Sequence, residues 1–197
     1  GLDREDNLAT GVFIGIALDL NSTNFSLRWS MAGQAAEWAR KLGRELSQEE
    51  LNAWTKQLCD ATGPALSANR TMGALGSVVA SRIAREFRVG GPSFTLSSED
   101  CSGVRGLETA VRLLQAGELD RALVGSVDLA GDLRAVLGHH ALRPLSSSGR
   151  ALPFDQGADG STLGEGATAL VLKRLADAER DGDRIYAVIR GIGSSGG

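Results

Sequence analysis

The residues with the clearest chemical potential lie together in the run Glu99-Asp100-Cys101-Ser102. A cysteine thiolate can accept an acyl group from a thioester. A carboxylate does this poorly, because the mixed anhydride that it would form is easily hydrolysed. The run therefore combines one candidate nucleophile, Cys101, with two carboxylates, Glu99 and Asp100, that would repel an incoming negative charge.

These residues lie where a predicted strand turns into a predicted helix. Phe94 and Leu96 alternate with small β-tolerant residues, which suits a pleated strand. Helical spacing of apolar residues then begins, at Leu107, Ala110, Val111 and Leu114. The first N–H groups of a helix favour negative charge, so enzymes often place a nucleophile at such a junction. By residue type, Asp100 suits a helix N-cap and Cys101 suits a small buried residue at the helix start.

The stretch 91–103, GPSFTLSSEDCSG, closely resembles the nucleophile turn of the β-ketoacyl synthases, the condensing enzymes of fatty acid and polyketide synthesis. In that family the turn reads G-P-S-F-T-V-D-T-A-C-S-S-S-L-V-A-L, with the catalytic Cys eight residues after the Pro. Eight residues after Pro92 is Asp100. Counted from Asp100, the downstream family positions are filled by Leu107, Ala110, Leu114 and the run 117–120, GELD. Both flanks assign the nucleophile position to Asp100 and place Cys101 one residue late, while Glu99 stands where the family has a small residue.

Other stretches resemble the same family in the same order. Residues 80–87, ASRIAREF, are similar to its A-S-R-I-A-x-x-F helix. Residues 149–155, GRALPFD, resemble G-R-x-x-P-F-D, and residues 159–166, DGSTLGEG, resemble D-G-F-V-x-G-E-G. The run 19–29, DLNSTNFSLRW, looks most like the condensing-enzyme domains of polyunsaturated fatty acid synthases.

The resemblance implies that the Ser-, Gly- and Pro-rich segment 144–164 lies beside an active site. The pocket and turn residues expected from it are Glu99, Ser102, Phe154, Ser161 and Glu165. In the family a Phe next to the Cys acts as an acyl gate, and Ser161 here replaces the usual Phe of the motif, which argues against a normal gate. Two interpretations of Glu165 stay open, a charged residue that closes a glycine turn and a buried acid near the site.

Alternating strands and helices predict an α/β fold with a largely parallel or mixed sheet. Strands are predicted at 10–19, 121–129, 167–173 and 185–192, and helices from near 30 to about 40, from a capping box at Ser47 and Glu50 to about 60, and at 71–87, 132–137 and 175–180. The resemblance implies a thiolase-like duplicated core in α-β-α-β-α layers. On this interpretation, residues 1–197 form a partial domain that holds the N-terminal half from its second strand, plus the first strand of the C-terminal half at about 184–193. The family's catalytic histidines and lysine belong to that second half.

Composition restricts the function further. A length of 197 residues is enough for one α/β core, and a net charge of −3 argues against broad nucleic-acid binding. No apolar run approaches the roughly 20 residues that span a bilayer. Cys59 and Cys101 are predicted to be free thiols of a cytoplasmic protein. The chain begins in an acidic, loop-like stretch, and we expect it to be a piece of a longer polypeptide.

The adjacent histidines, His139 and His140, point in different directions on a helix and rarely share one metal. We interpret them mainly as surface or hinge packing, with a role in the site as the alternative. The spacing of the cysteines and histidines predicts no metal site.

Two classes of function fit these residues. In the first, the chain is a chain-length-factor-like relative that lacks the Cys and pairs with an active ketosynthase domain or subunit. The resemblance then places the contact across the two-fold axis at Phe94, Thr95, Leu96, Ser97 and Ser98. In the second, the chain is an active synthase whose nucleophile is Cys101, with Ser102 following it as Ser follows Cys in the family, or a domain that only decarboxylates malonyl groups. Both work with an acyl carrier protein that bears phosphopantetheine, and neither needs a directly bound cofactor.

Overall fold

A four-stranded mixed sheet forms the centre of the fold. The computed structural model describes residues 7–16, 25–129 and 133–193. In chain order the elements are β1 (Thr10–Gly15), α1 (Phe25–Lys41), α2 (Gln48–Thr62), α3 (Ala68–Ala74), α4 (Ser77–Glu86), β2 (Ser93–Leu96), α5 (Ser102–Gln115), β3 (Arg121–Asp128), α6 (Leu133–Leu142), β4 (Gly166–Lys173) and α7 (Leu175–Arg180). The predicted α/β class is confirmed.

The strands lie in the order β2-β1-β3-β4. β1 is parallel to both of its neighbours, so that Phe13 lies opposite Phe94 on one side and Val124 on the other. β4 is antiparallel to β3. Every residue of β1 is buried, as its nearly continuous apolar run predicts for a central strand that is covered on both faces.

Helices cover the two faces of β1. On one face, Phe13 and Val124 pack with Ala110 and Leu114 of α5. On the other face, Val12 and Ile14 pack with residues of α4. The start of α5 is thereby held against the sheet.

The contacts divide the chain into two units, Gly1–Ala17 with Ala80–Gly197, and Leu18–Val79. The first unit contains the sheet. In the second, α1 packs on α2, and Arg28 donates through Nη1 to the carbonyl oxygens of Cys59 and Gly63, both at 2.7 Å. Arg28 also pairs with Asp60, at 2.9 Å between Nη2 and Oδ1. These bonds add to the partners of the last turn of α2 and its C-cap, where the Cys59 carbonyl also accepts from the Thr62 hydroxyl at 2.8 Å. The predicted capping box at Ser47 and Glu50 is confirmed at the start of α2.

Two predicted elements are wrong. The single helix predicted over 71–87 is two helices, because Leu75 between α3 and α4 has extended backbone angles and Gly76, a poor helix former, follows it. The strand predicted at 185–192 has no ladder within the described part of the chain. A strand needs a hydrogen-bonded neighbour, and Ile185, Val188 and Ile189 are all partly exposed. Residues 184–193 thus form no ladder with the described strands, and their place at the start of a second half of the core stays a prediction.

Among the described residues, no helix is both long enough and apolar enough to cross a membrane. No group of three or more His, Cys, Asp or Glu side chains in those residues could hold a metal ion. Cys59 and Cys101 are free thiols.

Gly15 controls how closely α5 approaches β1. A Cβ at this position would lie 2.6 Å from both the Gly103 nitrogen and the Ser102 carbonyl carbon. We expect Gly15→Ala to lower the free energy of unfolding by about 2 to 3 kcal/mol, because backbone atoms cannot move aside as the end of a flexible side chain can. Urea denaturation followed by circular dichroism measures this effect.

Gly138→Ala is the matched control, since Gly138 lies inside α6 and a Cβ there would meet nothing within 4 Å. Alanine in a helix is favoured over glycine by about 0.5 to 1 kcal/mol, so this variant should be unchanged or slightly more stable. Equal stability of the two variants would contradict the close approach at Gly15.

Candidate functional site

The candidate site is the turn between β2 and α5, residues 97–101. The carbonyl of Ser98 accepts a hydrogen bond from the Cys101 nitrogen at 3.0 Å, and that of Glu99 accepts one from the Ser102 nitrogen at 3.1 Å. Glu99 has φ +50°, a left-handed conformation that costs a non-glycine residue of order 1 kcal/mol. The chain therefore changes direction sharply here, and the predicted strand–turn–helix junction is confirmed.

Ser102 holds this turn from inside. Its side chain is buried, and its Oγ donates to the Glu99 carbonyl at 2.6 Å while accepting from the Ser98 nitrogen at 2.8 Å. One hydroxyl thus satisfies two backbone groups and stabilises the left-handed Glu99. Sequence analysis placed Ser102 at the site through its family position, and the structure assigns it this supporting contact.

Cys101, and not Asp100, is the N-cap residue of α5. Its side chain makes no capping hydrogen bond, and it is exposed. The expectation that Asp100 caps the helix is wrong, because the turn places Asp100 one residue before the cap. The expectation that Cys101 is a buried apolar residue is also wrong. An exposed thiol consequently lies at the helix start, beside a carboxylate one position earlier.

The carboxylate of Asp100 pairs with the guanidinium of Arg143, which follows the last residue of α6. Both side chains are more than half exposed, at 64% for Asp100 and 60% for Arg143. An exposed pair of this kind contributes little to stability, but it ties the turn to the end of α6. Sequence analysis missed Arg143, since no local pattern connects two residues 43 positions apart.

The last turn of α6 also contacts the segment 144–164. His139 Nε2 lies 3.1 Å from Ser161 Oγ, and that hydroxyl donates to the carbonyls of Arg143 and Pro144 at 3.2 Å. The Nδ1 of His140 accepts from the Leu145 nitrogen at 3.1 Å. The two histidines therefore contact different groups, and His139 contacts Ser161, one of the expected pocket residues. Ser161 therefore joins the end of α6 to the segment 144–164 through polar contacts.

Asp159 organises the same segment. Its Oδ1 accepts from Ser146 Oγ at 2.5 Å, and its Oδ2 accepts from Ser147 Oγ at 3.0 Å and from the Ser148 nitrogen at 2.9 Å. These bonds, that from Ser146 foremost, hold the pKa of Asp159 well below its usual range. Asp159 lies in the DGSTLGEG motif, and three consecutive serines 11 to 13 positions earlier were its available donors in the sequence.

Two other expected pocket residues are solvent-facing. Phe154 is fully exposed and has φ +66°. Glu165 is exposed, so the interpretation as a buried acid is wrong for this chain. The physical reason is that β4, which begins at the next residue, exposes its first six residues and so provides no cover.

The expected dimer contact occupies an edge of the sheet. β2 pairs with β1 on one side, and no described residue pairs with its other side. Phe94 is exposed at its rim, with its ring edge-on to Phe13 at 5.2 Å between centroids. Edge strands leave N–H and C=O groups available to another chain.

The chain is similar to one protein family and to large synthases. The family profile "Beta-ketoacyl synthase, N-terminal domain" matches residues 1–178. A highly reducing polyketide synthase of Cordyceps militaris is 38% identical over 154 residues, which cover 78% of this chain and 6% of that protein. A phthioceranic/hydroxyphthioceranic acid synthase of Mycobacterium bovis is 44% identical over 119 residues, covering 60% of this chain and 6% of the relative.

Solved ketosynthase structures share the fold. The ketosynthase from module 6 of the bacillaene synthase of Bacillus subtilis has a TM-score of 0.62 at 26% identity, over 92% of this chain and 24% of its own. The oxazolomycin ketosynthase domain of Streptomyces albus has a TM-score of 0.61 at 26% identity, over 89% of this chain and 25% of its own. The thiolase-like fold expected from the sequence is confirmed. The chain spans a small fraction of the synthases and about a quarter of the solved ketosynthases that it matches.

We expect the Ser102 hydroxyl to stabilise the turn between β2 and α5. We expect Ser102→Ala to lower the free energy of unfolding by about 1.5 kcal/mol, since the Ser98 nitrogen would lose its partner in a partly buried place. Ser97→Ala, at an exposed position of the same turn, should change it by less than about 0.5 kcal/mol. Chemical denaturation of both variants tests the assignment, which fails if they are equally stable.

The Asp159 contacts should depend on pH. Because folding lowers the pKa of Asp159 from its ordinary 3.8, its stabilising contribution is fully present above that pH. The contribution is lost as the pH falls towards the lowered value. Near neutral pH the Asp159 carboxylate is charged and accepts from the Ser148 amide, so this amide should exchange its hydrogen slowly. Exchange should become faster in Asp159→Asn, which lacks the carboxylate. The Gly157 amide, which donates to Asp155 at 2.7 Å, is the internal control and should not change. Unchanged exchange at Ser148 would contradict the assigned role of Asp159.

Proposed function

The chain belongs to the β-ketoacyl synthase family, whose N-terminal domain profile matches residues 1–178, and on that premise we propose that it acts as a chain-length-factor-like half of a ketosynthase pair. In this role the chain does not carry the growing acyl group itself. It pairs with an active ketosynthase domain or subunit and shapes the space in which the product is extended.

The observation that carries the proposal is the carboxylate of Asp100 at the family's nucleophile position. A condensing enzyme needs a thiolate there, with backbone N–H groups nearby to stabilise the oxyanion that forms on the thioester carbonyl. Asp100 offers a poor acyl acceptor, and its carboxylate is already engaged by Arg143. The position is thus occupied by an ion pair in place of a nucleophile.

The segment 144–164 supports the same proposal. Ser161 stands at the family's gate position, and its hydroxyl is held by His139 and by two carbonyl groups. Asp159 accepts hydrogen bonds from three successive serines near the start of the same segment, Ser146, Ser147 and Ser148. A small, hydrogen-bonded side chain of this kind does not reproduce an aromatic acyl gate.

We infer that the partner is a ketosynthase that contacts the free edge of β2, and that the substrate of the pair is an acyl chain carried on the phosphopantetheine arm of an acyl carrier protein. The exposed ring of Phe94 and the unpaired edge support the first inference. A polyunsaturated-type synthase is the proposed setting, on the strength of the DLNSTNFSLRW run, whose first six residues, 19–24, lie outside the described residues. The free thiols of Cys59 and Cys101 support a cytoplasmic location.

A second function is favoured by one specific observation, the place of Cys101. It is the N-cap of α5 and is exposed, so a thiolate there would face the unpaired N–H groups of the helix start. In this alternative the chain is an active synthase, with Cys101 attacking the thioester carbonyl and the carrier thiol leaving. A domain that only decarboxylates malonyl groups would need no acylated cysteine and is the third possibility.

Whether Cys101 becomes acylated distinguishes these functions. We expect that incubation of the chain, in its full-length context, with an acyl thioester on its carrier protein produces no mass adduct on Cys101. A companion active ketosynthase in the same mixture should gain the mass of the acyl group. Intact mass spectrometry measures both proteins at once.

Cys101→Ala is the matched control for this experiment. A stable adduct on the unmodified chain that disappears in Cys101→Ala would overturn the proposal and make Cys101 the nucleophile. Release of carbon dioxide from malonyl carrier protein by the chain alone would instead favour the decarboxylase.

A further inference from the structure

Two adjacent histidines at the end of α6 contact the segment 144–164 at its start and near its end. His140 Nδ1 lies 3.1 Å from the nitrogen of Leu145, and His139 Nε2 lies 3.1 Å from Ser161 Oγ. Leu145 and Ser161 are also joined to each other by an isolated parallel bridge. The histidine pair therefore holds the segment at the place where its two ends meet.

The contact with Leu145 requires a neutral His140. A backbone N–H group can only donate, so Nδ1 of His140 is the acceptor and carries no proton. In the charged imidazolium both ring nitrogens carry a proton, and neither can accept. Protonation of His140 therefore removes the acceptor of the Leu145 amide and brings two N–H groups face to face.

The contact of His139 does not depend on charge in this way. The Ser161 hydroxyl donates to the carbonyl oxygens of Arg143 and Pro144, both at 3.2 Å, and its lone pairs remain able to accept from an Nε2–H group. Nε2 carries a proton in the charged ring and in one of the two neutral forms. Ser161 therefore accommodates His139 in either charge state, and the two histidines respond differently to pH.

The surroundings of His140 allow it to take up a proton. Histidine ordinarily changes its charge between about pH 5 and 8, whereas guanidinium groups and carboxylates keep theirs. His140 is exposed to water in the last turn of α6, where the helix dipole favours a cation. The other charged groups at this end of the helix are Arg143, which pairs with Asp100, and Asp159, which accepts from three serines.

We propose that the two histidines at the end of α6 form a pH-sensitive clamp on the segment 144–164. When His140 is neutral, the clamp holds both Leu145 and Ser161. When His140 is protonated, Leu145 loses its acceptor while His139 keeps its contact with Ser161. Mild acid therefore loosens the start of the segment and leaves its end attached. This inference goes beyond the proposed function and applies equally to a silent chain and to an active synthase.

Hydrogen exchange at the Leu145 amide tests the clamp in the 197-residue chain. The protection factor, which corrects for the intrinsic effect of pH on exchange, should fall about fivefold between about pH 7.5 and 5.5, because one hydrogen bond of ordinary strength is lost. In the same titration, the NMR shift of the Leu145 amide should follow that of the His140 ring protons. An amide whose protection and shift are independent of pH over this range would overturn the proposal.

Three variants assign the effect to His140. The side-chain oxygen of His140→Asn is as many bonds from Cα as Nδ1 and is not protonated in this range, so Leu145 should stay protected at both pH values. His140→Ala removes the acceptor and should leave the amide weakly protected at both. His139→Asn is the matched control one residue earlier and should retain the fall seen in the unmodified chain.

A fall in Leu145 protection that persists in His140→Ala, or that disappears in His139→Asn alone, contradicts the assignment to His140. Circular dichroism establishes that each variant is folded. The titration of the unmodified chain decides the question if a variant is not.

The outcome is independent of acylation. If Cys101 is acylated while Leu145 protection falls in mild acid, the proposed function is wrong and the clamp remains. If Cys101 is silent and Leu145 protection does not change, the chain-length-factor role remains and the clamp is wrong.

Discussion

The close approach of the start of α5 to the end of β1 is the constraint on which the site depends. Gly15 leaves so little room that a single methyl group would overlap the backbone of Ser102 and Gly103. A Cβ at Gly103 would in turn lie 2.9 Å from the Ser126 Oγ of β3. Because no side chain separates the helix start from β1, the position of the turn is determined by backbone packing against that strand. The backbone of the turn is therefore held at one position relative to the sheet, whichever side chains it carries.

That constraint fixes the shape of the turn between β2 and α5 independently of the side chains at positions 100 and 101. The sharp bend at Glu99 is stabilised by Ser102, whose hydroxyl serves a donor and an acceptor of the backbone. None of these contacts requires a thiol at position 100. The turn therefore accommodates Asp100, whose charge is compensated by Arg143 from a different element. The shape of the turn therefore depends on backbone packing and on the Ser102 hydroxyl, and the charge beside it depends on the pair of Asp100 and Arg143.

The end of α6 links the turn to the segment 144–164. Arg143 pairs with Asp100, and His139 Nε2 contacts the Ser161 hydroxyl. His140 Nδ1 accepts a hydrogen bond from the Leu145 amide. Polar contacts of this kind join three parts of the chain without a shared apolar core. Polar contacts therefore connect the exposed side of the turn to α6 and the segment 144–164, while its buried side packs on β1.

The sequence by itself determined the family, the central strand and the strand–turn–helix junction, because residues 10–15 form a continuous apolar run and the motif around Asp100 is local. It also placed the capping box at Ser47 and Glu50, which depends on residues three positions apart. Only the tertiary structure decided that Cys101 is the helix cap, that Arg143 pairs with Asp100 and that the Leu145 amide donates to His140. It also decided that residues 184–193 form no strand, because a strand exists only where a neighbour is present to accept its hydrogen bonds. Local signals record spacing along the chain, whereas these contacts join residues that only folding brings together.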